Sequence, residues 1–162
     1  MQLRAETVAD LPHIRRVIEA AFGREDEARL VDRLRGEAPG AISLVAERDG
    51  EVAGHVMLSP LTAPAGAMAL APVSVRPDLH GRGIGAALVR EGLARAKASG
   101  AHAVFVLGDP PYYARFGFHT QTARGFASPY AGPFLMAVEL VPGALAAKGP
   151  LTYARAFDDL AD

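Results

Sequence analysis

Three closely spaced glycines, Gly81, Gly83 and Gly85, have the spacing of a site for an anionic ligand. They precede or open a predicted helix, where backbone amides have no partner within the helix and the positive end of the helix dipole attracts phosphate. A side chain would hold a phosphate away from those amides, so glycine suits these positions. Arg82 adds a positive charge at the rim. The pattern predicts a phosphate site, and the alternative is a glycine turn needed only for tight packing.

The same stretch also satisfies the Gly-x-Gly-x-x-Gly/Ala fingerprint of dinucleotide-binding proteins, with Asp109 at the end of the next strand. That fingerprint requires the glycines directly after a strand, whereas residues 76 to 80 intervene here. It also requires several consecutive βαβ units, and this chain offers one. A nucleotide-triphosphate loop fits less well still, because no Gly-Lys-Ser/Thr follows the glycines. A nicotinamide-dinucleotide site is therefore the weaker alternative.

Composition excludes several other chemistries. The 162 residues contain no cysteine, which rules out disulfides, a thiolate nucleophile and sulfur-ligated metal. The five histidines show no close metal-ligand spacing, so no metal is predicted. A net charge of -1 is too balanced for general attraction to nucleic acid or anionic membrane. No apolar run approaches the roughly 20 residues of a membrane span. These features predict a cytoplasmic protein.

Apolar spacing and helix-ending residues predict three long helices around the glycines. They lie after Asp10, from Glu25 to Arg35 with Gly36 as its end, and from Gly83 to Ser99 before Gly100. A fourth, short helix follows Asp109, which stands at its N-cap, and begins with two prolines. The third helix and the strands on either side of it form one βαβ unit.

Six strands are predicted from apolar runs and turn residues. Their ranges are 2–5, 42–47, 51–59, a run ending at 73–75, 102–107 and 134–141. Asp49-Gly50 suits the tight turn of an antiparallel hairpin between the second and third strands. Residues 63 to 72, rich in Ala, Pro and Gly, are interpreted as containing a loop. The length and the apolar content of one half predict a single domain over residues 1 to 162.

Two stretches carry a family resemblance. The segment Val73–Leu88, which reads Val-Ser-Val-Arg-Pro-Asp-Leu-His-Gly-Arg-Gly-Ile-Gly-Ala-Ala-Leu, resembles the acetyl-coenzyme A motif of the GNAT superfamily of N-acetyltransferases. The segment Gly108–Phe118 is similar to the end of the cofactor cleft in a bacterial branch of predicted acetyltransferases, the YhbS-like group. The similarity continues to Leu145 and so covers most of the chain.

The resemblance implies an α/β fold with a mixed central sheet, helices on both faces, and a splay between the strands ending at Val75 and near Leu107. Acetyl-CoA would enter this splay as co-substrate. The positions that match the family's cofactor-binding residues are Val73, Ser74, Val75, Gly81, Arg82, Gly83, Ile84, Gly85 and Ala86. Val73 and Val75 would pair with the pantetheine arm through their backbone. The family usually has Gln or Arg where this chain has His80, to which we assign no role.

Acetyl transfer requires a neutral amine and a proton for the departing thiolate. By the resemblance, Tyr113 matches the family's usual acid. Tyr112 is the alternative, because adjacent residues of a short helix point in different directions. Packing of both rings with Phe116 and Phe118 is the structural alternative, and it is favoured for Tyr112.

No general base is identified from the sequence. The acidic residues 25 to 27 have the positions to line an acceptor cleft, but an acidic helix start is more often a solvated face. His55 is interpreted as a half-buried packing residue and Asp109 as a helix cap. A water chain would remove the need for a single base.

The implied function is acetyl transfer from acetyl-CoA to a primary amine of a small molecule, peptide or protein, by a monomer or homodimer. The alternative functions are a non-catalytic CoA-binding sensor and, less favoured, a nicotinamide-dinucleotide-binding protein.

Overall fold

A computed structural model describes residues 1–160 and shows one six-stranded sheet with the strands in chain order. The strands are β1 (Gln2–Ala5), β2 (Ile42–Arg48), β3 (Glu51–Pro60), β4 (Ala67–Val75), β5 (Ala103–Leu107) and β6 (Leu135–Glu139). Only β4 and β5 pair in parallel, and every other neighbouring pair is antiparallel. A single parallel pair does not provide the consecutive βαβ units of a dinucleotide fold, which removes the structural basis for that alternative.

Five α-helices accompany the sheet in the described part of the chain. They are α1 (Leu11–Phe22), α2 (Asp26–Glu37), α3 (Ile84–Ala98), α4 (Pro110–Ala114) and α5 (Thr120–Ala123). None of the helices within residues 1–160 is both long and apolar enough to cross a membrane.

The helices cover both faces of the sheet, as the sequence predicts. On one face, the apolar sides of α1 and α2 join a core cluster that includes Ile18, Leu34 and Phe105. On the other face, α3 joins a second cluster through Leu88 and Val89. Both clusters follow from helical spacing of apolar residues, which places them on one side of each helix. The sheet therefore lies between two packed layers of helices.

The sheet parts between β4 and β5. The two strands pair only from Ala67 opposite Ala103 to Ala69 opposite Phe105. Beyond that point β4 continues to Val75 and β5 to Leu107 without pairing to each other. The predicted splay is confirmed, and it leaves one edge of each strand open for a ligand.

Residues 63 to 72 contain the predicted loop, and β4 begins at Ala67, because pairing with β3 and β5 stabilises an extended conformation in the remainder of this Ala- and Pro-rich stretch. One helix end was predicted wrongly, and one short helix was missed. Gly36 lies inside α2, which ends at Glu37. The hydrogen bond at the end of this helix runs from the Ala38 amide to the Leu34 carbonyl. The helix α5 was not predicted, since four residues are too few to show a periodicity.

Candidate active site

The glycine segment forms an open turn before α3. Gly81 and Gly83 have φ angles of 78° and 80°, which side chains other than glycine rarely adopt. Gly83 is the N-cap residue of α3, and the first bond that closes the helix runs from the Ala87 amide to the Gly83 carbonyl. Within residues 1–160, the amides of residues 81 to 86 donate no hydrogen bond to another backbone or side-chain group. Six donors thus remain available at the positive end of the helix dipole.

A cavity of about 510 Å³ lies in front of this turn. Its lining brings together the predicted positions Val73, Ser74, Val75, Gly81, Gly83, Ile84, Gly85 and Ala86. A Cβ atom added to Gly81 or Gly83 would meet nothing within 4 Å, so the space beside both glycines is open. This space and the unpaired amides fit a diphosphate.

A cation that the sequence analysis did not single out lines this cavity. Arg82 is exposed and does not line the cavity, whereas Arg115 does. The Arg115 guanidinium carbon lies 4.5 Å from the centre of the Tyr112 ring, which orients it through a cation–π contact. Arg115 lies within Gly108–Phe118, the second segment of family resemblance. Because it is far from the glycines along the chain, its position beside them could not be predicted from local sequence.

The pairing register turns the backbone of β4 toward the splay. The Arg76 amide donates to the Ala53 carbonyl at 2.9 Å, and bonded pairs alternate along an antiparallel ladder. Val73 and Val75 therefore direct their amide and carbonyl groups away from β3. The ring Nε2 of His80 lies 3.0 Å from the Val75 carbonyl oxygen, a contact that the sequence did not reveal.

A second cavity of about 380 Å³ contains Tyr113. It lies on the α1 and α2 side of the splay and shares Phe22 and Val73 with the first cavity. Its other lining residues are Glu27, Leu30, Ala69, Leu70, Ala71, Pro72, Phe105, Val106, Leu107, Tyr130, Tyr153, Phe157 and Leu160. The two cavities therefore adjoin at Phe22 and Val73, and Val73 lies in the part of β4 that does not pair with β5.

The helix α4 separates its two tyrosines. Tyr112 lines the first cavity and Tyr113 the second. The Tyr113 ring packs edge-on against Phe118, with ring centres 5.8 Å apart, and against Tyr112 at 5.0 Å. A Cβ atom on Gly108 would lie 2.5 Å from the ring of Tyr113, so the glycine leaves the space that this ring occupies.

Burial controls the protonation of Tyr113. Loss of solvent around the phenol, with a smaller contribution from neighbouring Tyr112, raises the pKa of Tyr113 to about 12. Among the described residues its hydroxyl has no hydrogen-bond partner. Tyr113 is therefore a neutral donor throughout the physiological pH range.

Three other residues were left open or placed differently by the sequence. Glu27 is 5% exposed and fits the cleft interpretation of residues 25 to 27 instead of the solvated one, because α2 turns it toward the second cavity, where Arg24 binds its carboxylate at 2.9 and 2.5 Å. His55 is fully buried, and its Nε2 lies 2.8 Å from the Ser43 hydroxyl oxygen. Asp109 occupies the N-cap of α4, but its side chain makes no capping hydrogen bond.

Comparison with known proteins agrees with this geometry. Residues 9–118 match the model of the Acetyltransferase (GNAT) family. The chain belongs to the GNAT acetyltransferase family. The uncharacterized N-acetyltransferase YjhQ of Escherichia coli is 37% identical over 134 residues, which are 77% of this chain and 74% of YjhQ.

Two solved structures extend the agreement to the fold of this GNAT acetyltransferase. YhbS of E. coli in complex with CoA has a TM-score of 0.89 and 31% identity, covering 99% of this chain and 93% of YhbS. A GNAT family acetyltransferase of Brucella melitensis in complex with acetyl-CoA has a TM-score of 0.81 and 38% identity, covering 97% of both chains. The predicted family, splayed α/β fold, acyltransferase class and acetyl-CoA co-substrate are confirmed.

Proposed function

We propose that this GNAT acetyltransferase binds acetyl-CoA in the first cavity and transfers its acetyl group to a primary amine in the second, with Tyr113 donating a hydrogen bond to the departing sulfur. The observation that carries the proposal is the meeting of the two cavities at Phe22 and Val73. One cavity has unpaired amides for a diphosphate, and the other contains the partly buried phenol of Tyr113. The reacting groups would come together where the two cavities adjoin.

The diphosphate would lie against the amides of residues 81 to 86. These donors and the helix dipole favour negative charge without any ordering cost, since the turn is already formed. Arg115 lines the same cavity and would add a charge-assisted contact. Arg82 would act only from the exposed rim.

The pantetheine arm would pair with β4 as an added strand, because Val73 and Val75 direct their backbone groups into the splay. His80 already contacts the Val75 carbonyl, so this carbonyl becomes available to the arm only when the ring moves. The Val73 backbone carries no such side-chain contact in the described structure. Pairing would therefore start at Val73.

In the reaction, the amine nitrogen attacks the thioester carbonyl, a carbon–nitrogen bond forms, and the carbon–sulfur bond breaks. The amine must lose one proton to become the nucleophile and a second as the amide forms, while the leaving sulfur gains one. With a pKa of about 12, Tyr113 does not protonate a free thiolate completely, since a thiol has a pKa of about 8.5. Tyr113 would instead stabilise the charge on sulfur as it develops, and solvent would supply the net proton exchange.

We assign no general base. Within the described structure, His55 is buried in the sheet and does not line either cavity. Glu27 lines the second cavity, but Arg24 binds its carboxylate, and we propose that the primary amine of the acceptor loses its proton to water. Cytoplasmic location and a monomeric or homodimeric state stay predictions from the sequence.

Substitution of Gly83 by Asn tests the diphosphate site. Asn tolerates positive φ better than most residues, and its side chain would fill the open space in front of the amides. We expect the Kd for acetyl-CoA, measured by calorimetry, to rise about tenfold or more, as for the loss of charge-assisted hydrogen bonds. NADH should not bind to either protein.

Gly100→Asn is the matched control. Gly100 follows the other end of α3, has a φ of 94°, and also has nothing within 4 Å of an added Cβ. Both variants therefore carry similar backbone strain, which urea unfolding measures. Equal acetyl-CoA affinity in the two variants would contradict the proposed site.

A further inference from the structure

The second cavity also carries information about the acceptor, provided that the proposed function holds. The cavity contains Tyr113 and adjoins the first cavity at Phe22 and Val73. An amine that reaches the thioester from the α1 and α2 side must pass through it. Its volume of about 380 Å³ is at the small-molecule end of ligand cavities, which span about 300 to 1,000 Å³.

An aromatic wall forms one side of this cavity. The rings of Tyr130 and Tyr153 have centres 5.3 Å apart and planes inclined by 39°. Tyr153 and Phe157 follow at 5.0 Å and 35°. Tyr153 and Phe157 are close in sequence and Tyr130 comes from an earlier part of the chain, and together they form one continuous row of tilted rings. Such a surface favours a planar aromatic group, which gains from offset or edge contacts as well as from burial.

The cavity has one charged side chain in its described lining, Glu27. Glu27 is 5% exposed, and its two carboxylate oxygens accept hydrogen bonds from Arg24, which itself does not line the cavity. Ionised oxygens have lone pairs for further donors, so Glu27 can accept a hydrogen bond from an ammonium group. A carboxylate on the acceptor would meet like charge there.

These features disfavour two acceptor classes. A polyamine or aminoglycoside would bring several cationic groups into a cavity with one carboxylate, and burial of an unpaired charge is costly. A free amino acid would add a carboxylate near Glu27. A single amine on an aromatic body matches both the rings and the charge.

We propose that the acceptor is an arylalkylamine, a primary amine joined by a short linker to an aromatic ring and lacking a carboxylate. Tyr130 and Tyr153 bind its ring, and Glu27 binds its ammonium group as it enters. The amine then loses a proton to water and attacks the thioester beside Tyr113.

Three acceptors test the contribution of the aromatic ring and that of the charge separately. Thiol release from acetyl-CoA is measured with 2-phenylethylamine, with L-phenylalanine, which adds a carboxylate, and with spermidine, which adds amines and lacks the ring. We expect kcat/KM for 2-phenylethylamine to exceed the other two by about tenfold or more, because an unfavourable buried charge costs at least that factor.

Tyr130→Ala tests the aromatic wall, since Tyr130 is only half-buried and its loss does not open the core. We expect KM for 2-phenylethylamine to rise about tenfold, with the Kd for acetyl-CoA unchanged within about twofold. The control is Phe134→Ala, which removes an aromatic ring that is 57% exposed and lines neither cavity.

The outcomes distinguish this inference from the proposed function. Failure to bind acetyl-CoA overturns both. Acetyl-CoA binding with faster thiol release for spermidine or L-phenylalanine overturns the arylalkylamine assignment and leaves the acetyltransferase function standing. If no amine releases thiol, calorimetry with 2-phenylethylamine on CoA-saturated protein decides, and absence of binding overturns the assignment.

Discussion

At the scale of single residues, the environment of Tyr113 determines what this phenol can do. Burial raises its pKa to about 12, so the group remains protonated where an ordinary tyrosine begins to ionise. Its ring position depends on Gly108, whose missing side chain leaves room for it. The ring is therefore held in place and its hydroxyl stays neutral, so the hydroxyl can donate a hydrogen bond to sulfur.

Tyr113→Phe should lower kcat about 100-fold and leave the Kd for acetyl-CoA within about twofold of wild type. The ring is retained, so packing with Phe118 persists and only the donor is lost. Thiol release and calorimetry measure the two effects separately. Equal kcat in variant and wild type would remove Tyr113 from the mechanism.

The pH dependence of wild-type kcat gives an independent check on this residue. A tyrosine with a pKa of about 12 loses its proton only far above neutrality. From pH 7 to 10.5, kcat should rise as the acceptor amine deprotonates and then level off, without a falling limb near pH 10. A falling limb there that disappears in Tyr113→Phe would contradict the raised pKa.

At the scale of elements, close approach of α3 to β3 holds the glycine turn against the sheet. A Cβ atom on Gly54 of β3 would lie 2.9 Å from Leu88 Cδ1, 3.0 Å from the Ser74 carbonyl oxygen and 3.2 Å from Ile84 Cγ2. Ile84 is the first residue of α3. Gly54 of β3 thus allows the close approach that positions the glycine turn at the start of α3.

Gly54→Ala should lower the free energy of unfolding by about 1 to 3 kcal/mol, because the backbone carbonyl of Ser74 cannot yield as a side chain does. It should also weaken acetyl-CoA binding by displacing the start of α3. Urea unfolding and calorimetry measure these effects. Gly36→Ala in α2, where an added Cβ meets nothing within 4 Å, is the control and should be as stable as wild type or more so. Equal stability of the two variants would contradict the close contact.

At the scale of the whole molecule, folding buries a histidine in the centre of the sheet. His55 is 0% exposed, its Nδ1 has no partner within the described residues, and Glu6 and Arg35 are the charged groups that act on it. Burial lowers the pKa of His55 to about 4, while the nearby Glu6 carboxylate opposes this shift. The folded protein therefore keeps His55 neutral where the unfolded chain protonates it.

The free energy of unfolding should fall as pH decreases from about 6.5 to 4. In this window the unfolded state binds a proton that the native state does not, so stability rises with pH, by about 3 kcal/mol in total for a shift of this size. Urea unfolding at several pH values measures it. His55→Gln removes the titrating ring and should flatten the dependence in this window, whatever its effect on stability at pH 7. An unchanged slope would contradict the neutral state of His55.

A separate loss of stability should occur below about pH 4. The pKa of Asp10 is well below its usual range, because Arg4 donates hydrogen bonds to it at 2.7 and 2.9 Å and Thr7 adds others. A lowered acid pKa stabilises the fold above the unfolded value and loses that effect as the carboxylate protonates. The His55 and Asp10 contributions thus occupy different pH ranges.

The sequence by itself determined the features that depend on neighbours along the chain. Helical spacing in α1 and α3, the Asp49-Gly50 hairpin and the glycine turn were predicted because each follows from local backbone preference and apolar periodicity. The two motifs and their order along the chain were also sufficient to predict the family. Where local preference was weak, as in residues 67 to 72, pairing with β3 and β5 decided the conformation.

Only the tertiary structure decided which side chains share a cavity. It separated Tyr112 from Tyr113, brought Arg115 to the cavity before the glycine turn, and buried Glu27 in the same cavity as the aromatic wall from the C-terminal segment. Helix phase and burial depend on contacts between residues far apart in sequence. No local pattern encodes those contacts, because each is set by the packing of several elements at once.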